Sequence, residues 1–470
     1  MLPRVQNYSV YPSVIPAGET VRLTVVPNEN SFLFFDGEKY ELTFIAVNGD
    51  EDYYHAPRSH VKQSAIAERG ILTLEYTFED EGEYLILLAK EGSKTVYELS
   101  VYALEPDLMS KRVLRGDFHS HSYRSDGARD PAAIAGHYRE QGYDFFALTD
   151  HNRYYPGEEI DHAYAGIATD FTRVLGEEVH APGNVVHIIH VGGKSSVAAL
   201  YVKDQETYEN EIAQYVKDVP SDVPEKYRDR YARCKWVCDR IHDADGLAVF
   251  VHPYWKPGKA KCFNVCDEFA KILMLSGMFD AYELVGGMGQ EGVNRSIALW
   301  ADLRCEGLKL SAVGSSDVHK IEKAATFPHY FTVCFADANE NDAIIDAVRR
   351  GDSVAVEAVG DEYNRQYRVY GSLRLVSYTH FLLRQYYPHF TRICQAEGVA
   401  MRAYAAGQTG KELLELLALE TEHFRKAFFG EISPLLPSEE IRGYIDERRE
   451  IQRNGPDGKG SLLGTGNSQI

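Results

Sequence analysis

Through the first ~105 residues apolar and polar positions alternate with a period of two. Val21, Leu23 and Val25 alternate in "VRLTV", and Tyr40, Leu42 and Phe44 in "YELTF". Leu72, Leu74, Tyr76 and Phe78 follow, then Tyr84, Ile86 and Leu88. Turn sequences ("PAG", "FDGE", "NGDED", "KEGSK") separate these runs. Short strands with one buried face at this spacing predict an all-β sandwich over residues 1–108. Between 112 and 357 the pattern changes. Short apolar runs, as in "YDFFALTDH", "VVHIIHVGG", "GLAVFVHP" and "LKLSAVGSSDVH", alternate with amphipathic stretches such as "DPAAIAGHYREQG". In the last of these Asp130 can cap a helix that Pro131 opens. Repeated strand-then-helix predicts a parallel α/β sheet or barrel. Residues 358–452 have helix-like apolar spacing, as in "GKELLELLALETEHFRKAFF". Residues 453–470 are rich in Gly and polar residues and predict a mobile or loosely docked tail.

Within the first region "EDEGEYLI" sets Asp80, Gly82 and Tyr84 at alternate positions. This resembles the tyrosine corner of immunoglobulin-like domains and implies an Ig-like sandwich. Ile86 stands where such domains carry a cysteine, so no disulfide is expected between the sheets there.

Composition narrows the function. A chain of 470 residues with 44% hydrophobic residues can build two or three cored units. No stretch approaches the ~20 apolar residues of a membrane span. The first residues lack the apolar run of a signal peptide, so a cytoplasmic protein is expected. The formal net charge of −20 repels a long polyanion, so extended nucleic acid is an unfavourable partner. There are seven cysteines. Cys234 with Cys238, and Cys262 with Cys266, are spaced i, i+4, as in a four-thiolate zinc site. However, Cys234 and Cys238 share an apolar stripe with Tyr227, Tyr231 and Ile241, which core packing explains. Free thiols fit a reducing compartment.

The chemistry lies where the central strands end. In "DFHSH" an extended chain aims His119 and His121 to one side, a chelating arrangement for a transition metal. "FFALTDHN" ends in Asp150 and His151, "VLGEEVH" in Glu177 and Glu178, "LAVFVHP" in His252, and "LSAVGSSDVH" in Asp317 and His319. "NVVHIIHV" adds His187 and His190. A barrel gathers the carboxyl ends of its strands on one face, so these side chains are expected to converge on a multinuclear metal site.

The ordered motifs "GDFHSH…SDG", "LTDHN", "GEE", "HIIHVGG", "VHPY" and "GSSDVH" resemble the PHP domain, named for polymerases and histidinol phosphatase. The resemblance covers residues 112–357. It implies a distorted, TIM-like (β/α)7 barrel, two to three divalent metal ions (Mn, Fe or Zn) and phosphoester hydrolysis. The implied ligands are His119, His121, Asp126, His151, Glu178, His187, His252, Asp317 and His319. By the family pattern His119, His121, Glu178 and Asp317 hold one ion. Glu178 bridges to a second held by His187 and His252, and Asp126, His151 and His319 hold a third. Gly176 selects Glu178 over Glu177; the choice of His187 over His190 is softer. Some relatives carry histidine at the position of Asp126, and the harder aspartate favours Mn²⁺ or Fe²⁺ while leaving zinc open.

Asp150, beside a ligand, is a candidate catalytic residue that orients it; a helix cap is the alternative. Arg124, Arg153, Arg295 and Lys320 are candidates to grip phosphate or the leaving group. Glu283 in "AYELVGG" is either an acid behind a ligand or a rim carboxylate. The expected partner is a small phosphorylated metabolite or nucleotide, with no membrane and with homo-oligomerisation open. Two other functions remain: a nuclease trimming short oligonucleotides, and a non-catalytic metal-retaining scaffold whose Ig-like domain binds a protein or glycan.

Overall fold

The computed structural model describes residues 7–29, 32–49, 61–258, 260–323, 325–360 and 365–454. The expected turn at 48–52 and the expected tail at 453–470 lie largely outside them. The chain forms two compact units, one of residues 110–422 and one of residues 3–109 with 423–470.

The strand-rich unit follows the alternation. Its strands are β1 (Tyr8–Tyr11), β2 (Val14–Pro16), β3 (Thr20–Pro27), β4 (Lys39–Ala46), β5 (Val61–Ile66), β6 (Leu72–Thr77), β7 (Gly82–Lys90) and β8 (Val96–Leu104). They form two sheets, β1-β3-β6 and β2-β8-β7-β4-β5. Leu23, Val25, Leu42, Phe44, Ile86 and Leu88 meet in one core, as a period-two pattern requires when one face of each sheet is buried. The Tyr84 hydroxyl donates to the Asp80 carbonyl at 3.0 Å and accepts from the Asp80 N–H at 3.1 Å. From the second segment of this unit, the Phe428 carbonyl accepts from the Ser13 N–H at 2.8 Å.

The larger unit contains β9 (Arg112–Asp117), β10 (Phe145–Ala147), β11 (Thr172–Val174), β12 (Gly176–Val179), β13 (Ile188–Val191), β14 (Leu247–Phe250), β15 (Ala281–Val285), β16 (Ser311–Gly314), β17 (Tyr330–Ala336), β18 (Ser353–Val359) and β19 (Gln366–Tyr370). Two sheets run in the orders β11-β10-β9-β17-β18-β19 and β12-β13-β14-β15-β16. Isolated parallel bridges, Ser120 with Val318 and His151 with Glu178, tie the chain leaving β9 and β10 to the edge strands of the second sheet. Pairing is mixed, which corrects the expectation of a parallel sheet. The pairs β9–β10, β10–β11, β14–β15 and β15–β16 are parallel, whereas β12–β13, β13–β14, β9–β17, β17–β18 and β18–β19 are antiparallel. For β12–β13 the reason is connection length: the link spans only 180–187, too short for a crossover helix.

The central strands are apolar on both faces because both are covered. Ile189, Val191, Leu247 and Val249 join one cluster with Leu114, Phe145 and Val313. Ile188, Phe250 and Tyr282 pack the other way, with Trp236, Cys234, Cys238 and Leu273 from the helices. Cys262 and Cys266 are exposed, and among the described residues no metal-type cluster contains a cysteine. The thiols at 234 and 238 therefore serve as core.

Asp130 caps helix Pro131–Glu140, its carboxylate accepting the Ala133 N–H at 2.9 Å. Against this helix lies helix Tyr387–Ala405. Gly136 and Gly398 let the backbones approach so closely that a Cβ on Gly398 would stand 2.2 Å from the Glu140 nitrogen. The aromatic run from Tyr378 to Phe390 is core, with Tyr378, Tyr386, Tyr387 and Phe390 buried. Among the described residues no helix is long and apolar enough to cross a membrane.

Candidate metal centre

The site is built where strands stop. After β9 the Asp117 carboxylate accepts the N–H groups of His119 and Ser316, both at 3.0 Å, and the Tyr138 hydroxyl at 2.7 Å. One buried acid thus fastens the His119–His121 segment to the turn carrying Asp317. Burial pushes the Asp117 carboxyl up to about 6 against the pull of these donors. Asp150 accepts the Ser122 N–H at 2.8 Å and the hydroxyls of Ser122 and Ser125, both at 2.6 Å. It caps no helix; it shapes the loop that returns Asp126 to the centre. Three residues at these strand ends have positive φ: Asn152 at 53°, His252 at 26° and Asp317 at 52°. Such backbone strain persists only where the surroundings over-determine it.

At the middle lies Glu178, 1% exposed. Its Oε2 faces His119 Nε2 and His121 Nε2, both at 3.4 Å, and His151 Nδ1 at 2.8 Å. Its Oε1 faces His180 Nε2 at 3.2 Å, His187 Nδ1 at 2.8 Å and His252 Nε2 at 3.2 Å. Asp317 Oδ1 lies 3.2 Å from His119 Nε2 and 3.1 Å from His121 Nε2. Asp126 Oδ1 lies 3.3 Å from His151 Nε2 and 3.2 Å from His319 Nε2. Donor atoms of His121, Asp126, His151 and His319 fall within 4.8 Å of one another, as do those of His119, His121 and Asp317 and those of His119, Glu178 and His252. Buried Glu178 Oε2, His119 Nε2, His151 Nδ1 and His180 Nε2 have no well-directed hydrogen-bond partner. Orphaned donors and acceptors of these types, aimed at one another in a buried pocket, fit divalent cations.

Electrostatics give the same picture. Burial would raise the Glu178 carboxyl, but His119 and the other imidazoles hold it well below the usual range. Asp317 is likewise held down, against burial, by His119 and His121. Burial disfavours the His119 imidazolium, yet Asp317 and Glu178 raise it well above the ordinary value; Glu178 raises His151 and His252 in the same way. Burial dominates at His121, which is lowered, and at His187, which is pushed down to about 4. Cations entering this pocket must displace protons from His119, His151 and His252. Apparent affinity for Mn²⁺ or Zn²⁺ is therefore expected to fall as pH drops through the neutral range, with protons released on binding. Calorimetric titration in buffers of different ionisation enthalpy measures both effects. A pH-independent affinity without proton release would contradict this charge balance.

The remaining sequence candidates are dispersed. Arg124 pairs with Glu159 at 2.6 Å and lies over the Tyr123 ring. With Asn152, Arg153, Tyr155 and Ser196 it lines a cavity of about 500 Å³. Arg153 is exposed there. Arg295 is engaged by Asp267 and lies over Tyr254 and Phe263. Lys320 is exposed next to His319. His190 does not reach the centre: its Nδ1 faces Glu177 at 3.2 Å on the opposite side of the sheet. Of the two readings of Glu283 the structure supports the acid behind a ligand, and one residue, His180, gains a role that the sequence did not assign. Glu283, fully buried, meets His119 Nδ1 at 3.0 Å and fixes which ring nitrogen faces the pocket. His180 joins Glu178, and its signal was the i, i+2 alternation in "GEEVH" already used for His119 and His121.

No family model matches the chain. It is 29% identical over 157 residues to the DNA polymerase/3'-5' exonuclease PolX of Bacillus subtilis (strain 168), covering 30% of this chain and 28% of that protein. The chain thus spans under a third of that curated relative. A two-domain protein from Bacteroides vulgatus ATCC 8482 containing a PHP-like metal-dependent phosphoesterase is 16% identical, with 56% of this chain and 76% of that one covered and a TM-score of 0.35. A metal-dependent phosphoesterase from Bifidobacterium adolescentis ATCC 15703 is 17% identical, with 50% and 96% covered and a TM-score of 0.34. The motifs of residues 112–357, which in their order along the chain resemble the PHP domain, bring their side chains together in one pocket.

Proposed function

We propose that the chain is a hydrolase that cleaves a phosphoester of a small phosphorylated metabolite or nucleotide at a centre of two to three divalent cations (Mn, Fe or Zn). The observation that carries this reading is the Glu178 carboxylate, ringed by six imidazoles with Asp317 and Asp126 beside them. We further read the two bridged sheets as a distorted (β/α)7 barrel and the strand-rich unit as Ig-like, the latter supported by the Tyr84–Asp80 hydrogen bonds.

Cations bound here would supply an activated water at neutral pH and neutralise the phosphoryl oxygens. The protein's part is positioning. Glu283 holds the His119 ring, Asp150 the Ser122–Ser125 loop, and Asp117 the two metal-facing turns. Arg153, exposed in the neighbouring cavity, is our candidate to meet an anionic group of the substrate, and Arg124, paired with Glu159, lines the same cavity. A second reading, removal of nucleotides from short oligonucleotides, is favoured by the stretch shared with PolX, whose name includes a 3'-5' exonuclease.

The test compares release of nitrophenol from a phosphate monoester and a diester, and shortening of single-stranded DNA and RNA oligonucleotides, each with Mn²⁺. Release of nitrophenol from at least one of the two esters, at least about tenfold faster with Mn²⁺ than without and faster than oligonucleotide shortening, is the expected result, about 1.4 kcal/mol of metal-dependent stabilisation. Preferential shortening of the oligonucleotides would select the second reading. Turnover of any of these that is indifferent to a metal chelator would refute the metal-dependent mechanism.

A further inference from the structure

The ligand set implied by resemblance to the PHP domain does not include His180, yet the structure brings it to the same carboxylate. In "GEEVH", Glu178 and His180 are two residues apart on an extended chain and so point to one side. His180 Nε2 lies 3.2 Å from Glu178 Oε1, and its ring centroid is 4.4 Å from that of His151 and 3.8 Å from that of His187. Donor atoms of His151, Glu178 and His180 fall within 4.8 Å of one another. His180 Nε2 and His151 Nδ1 are both buried without a well-directed hydrogen-bond partner.

The placement is fixed by the backbone. Asn152, in left-handed conformation, donates its N–H to the Glu178 carbonyl at 2.8 Å, and its side-chain oxygen accepts the His180 N–H at 2.7 Å. That oxygen also accepts the Tyr201 hydroxyl at 2.6 Å. One residue, adjacent to His151, therefore locks His151, Glu178 and His180 to each other.

We propose that His180 is a metal ligand, holding a cation together with Glu178 and with His151 through Nδ1. The inference rests on the reading of this pocket as a metal centre and departs from the ligand pattern that the resemblance implies. With its lone pair at Nδ1, neutral His151 carries its proton on Nε2, which faces Asp126 Oδ1 at 3.3 Å. Two imidazoles and one carboxylate select a borderline transition-metal ion such as Zn²⁺ over Mg²⁺ or Ca²⁺.

The experiment uses the full chain with Zn²⁺ as probe. Wild type, His180→Ala and His162→Ala, the last on an exposed position of helix Glu158–Ala163, are titrated against a chromophoric chelator, and retained zinc per chain is measured by elemental analysis. His180→Ala is expected to lose one ion per chain or to weaken one site at least about tenfold, while His162→Ala matches wild type. Equal stoichiometry and affinity in wild type and His180→Ala would overturn the assignment and leave the metal centre standing. Absence of zinc binding in wild type would overturn both. Should His180→Ala not fold, anomalous scattering from zinc-loaded wild-type crystals decides: an ion about 2.1 Å from His180 Nε2 upholds the proposal, and no ion there defeats it.

Discussion

Glu178→Gln is expected to strip the centre of at least one ion per chain and to lower phosphoester hydrolysis at least about 1000-fold, roughly 4 kcal/mol of transition-state stabilisation. The substitution keeps size and shape. It removes the one charge that faces His119, His121, His151, His180, His187 and His252 together, and it turns a donor group toward imidazole nitrogens. Metal analysis of the purified variant and steady-state kinetics with Mn²⁺ check both parts. Near-normal metal content and turnover would mean that Glu178 is a packing residue and that the centre lies elsewhere. The metal-free protein offers a second readout. Depression of the Glu178 carboxyl stabilises the fold above its ordinary value of 4.5, and elevation of His119, His151 and His252 stabilises it below theirs of 6.5. Wild type is therefore expected to exceed the variant in stability most between these pH values. The gap shrinks as pH falls through the depressed carboxyl value or rises through the raised imidazole values.

The second large effect lies far from this chemistry. Arg139→Ala is expected to destabilise the larger unit by about 3–5 kcal/mol. Arg139 Nε donates to Glu397 Oε2 at 2.8 Å, with both side chains fully buried between helix Pro131–Glu140 and helix Tyr387–Ala405. Removing the guanidinium leaves a buried carboxylate with the Thr421 hydroxyl, 2.9 Å away, as its donor among the described residues. The double variant Arg139→Met/Glu397→Leu is expected to recover much of the loss, because a buried pair and an apolar pair of similar volume are close in free energy. Chemical denaturation followed by far-ultraviolet circular dichroism measures both. A loss below about 1 kcal/mol for the single variant would place the pair in the class of solvent-screened surface bridges.

The candidate metal-facing residues are legible because they sit at the ends of apolar runs. Alternation is a local property of extended backbone, so "DFHSH" announces that His119 and His121 point together whatever surrounds them. The same rule applied to "GEEVH" pairs Glu178 with His180. Alternation does not say which of two faces looks inward. In "EEVH" and "HIIH" both parities offer plausible ligands, and the pairing of β13 with β12 and β14 decides. His187 shares the side of Ile189 and Val191 and reaches Glu178, while His190 falls on the other face beside Glu177.

Other features lay beyond any local pattern. The antiparallel runs in the second sheet follow from how short the link 180–187 is in space. Arg295 reads as a phosphate contact by its neighbours in sequence, yet Asp267 claims it across a helix pair. Asp150 reads as a cap or an orienting acid, and the fold gives it the serine hydroxyls of a loop 25 and 28 positions earlier. The expected helical extension 358–452 is divided, with residues from His423 onward grouping with the sandwich strands. By itself, then, the sequence determined which residue types end each strand and which of them point the same way, because backbone geometry between near neighbours is fixed by covalent structure. Only the tertiary structure decided which face became the pocket and which charges found one another, because those choices depend on contacts between segments far apart in the chain, whose free energy no single segment contains.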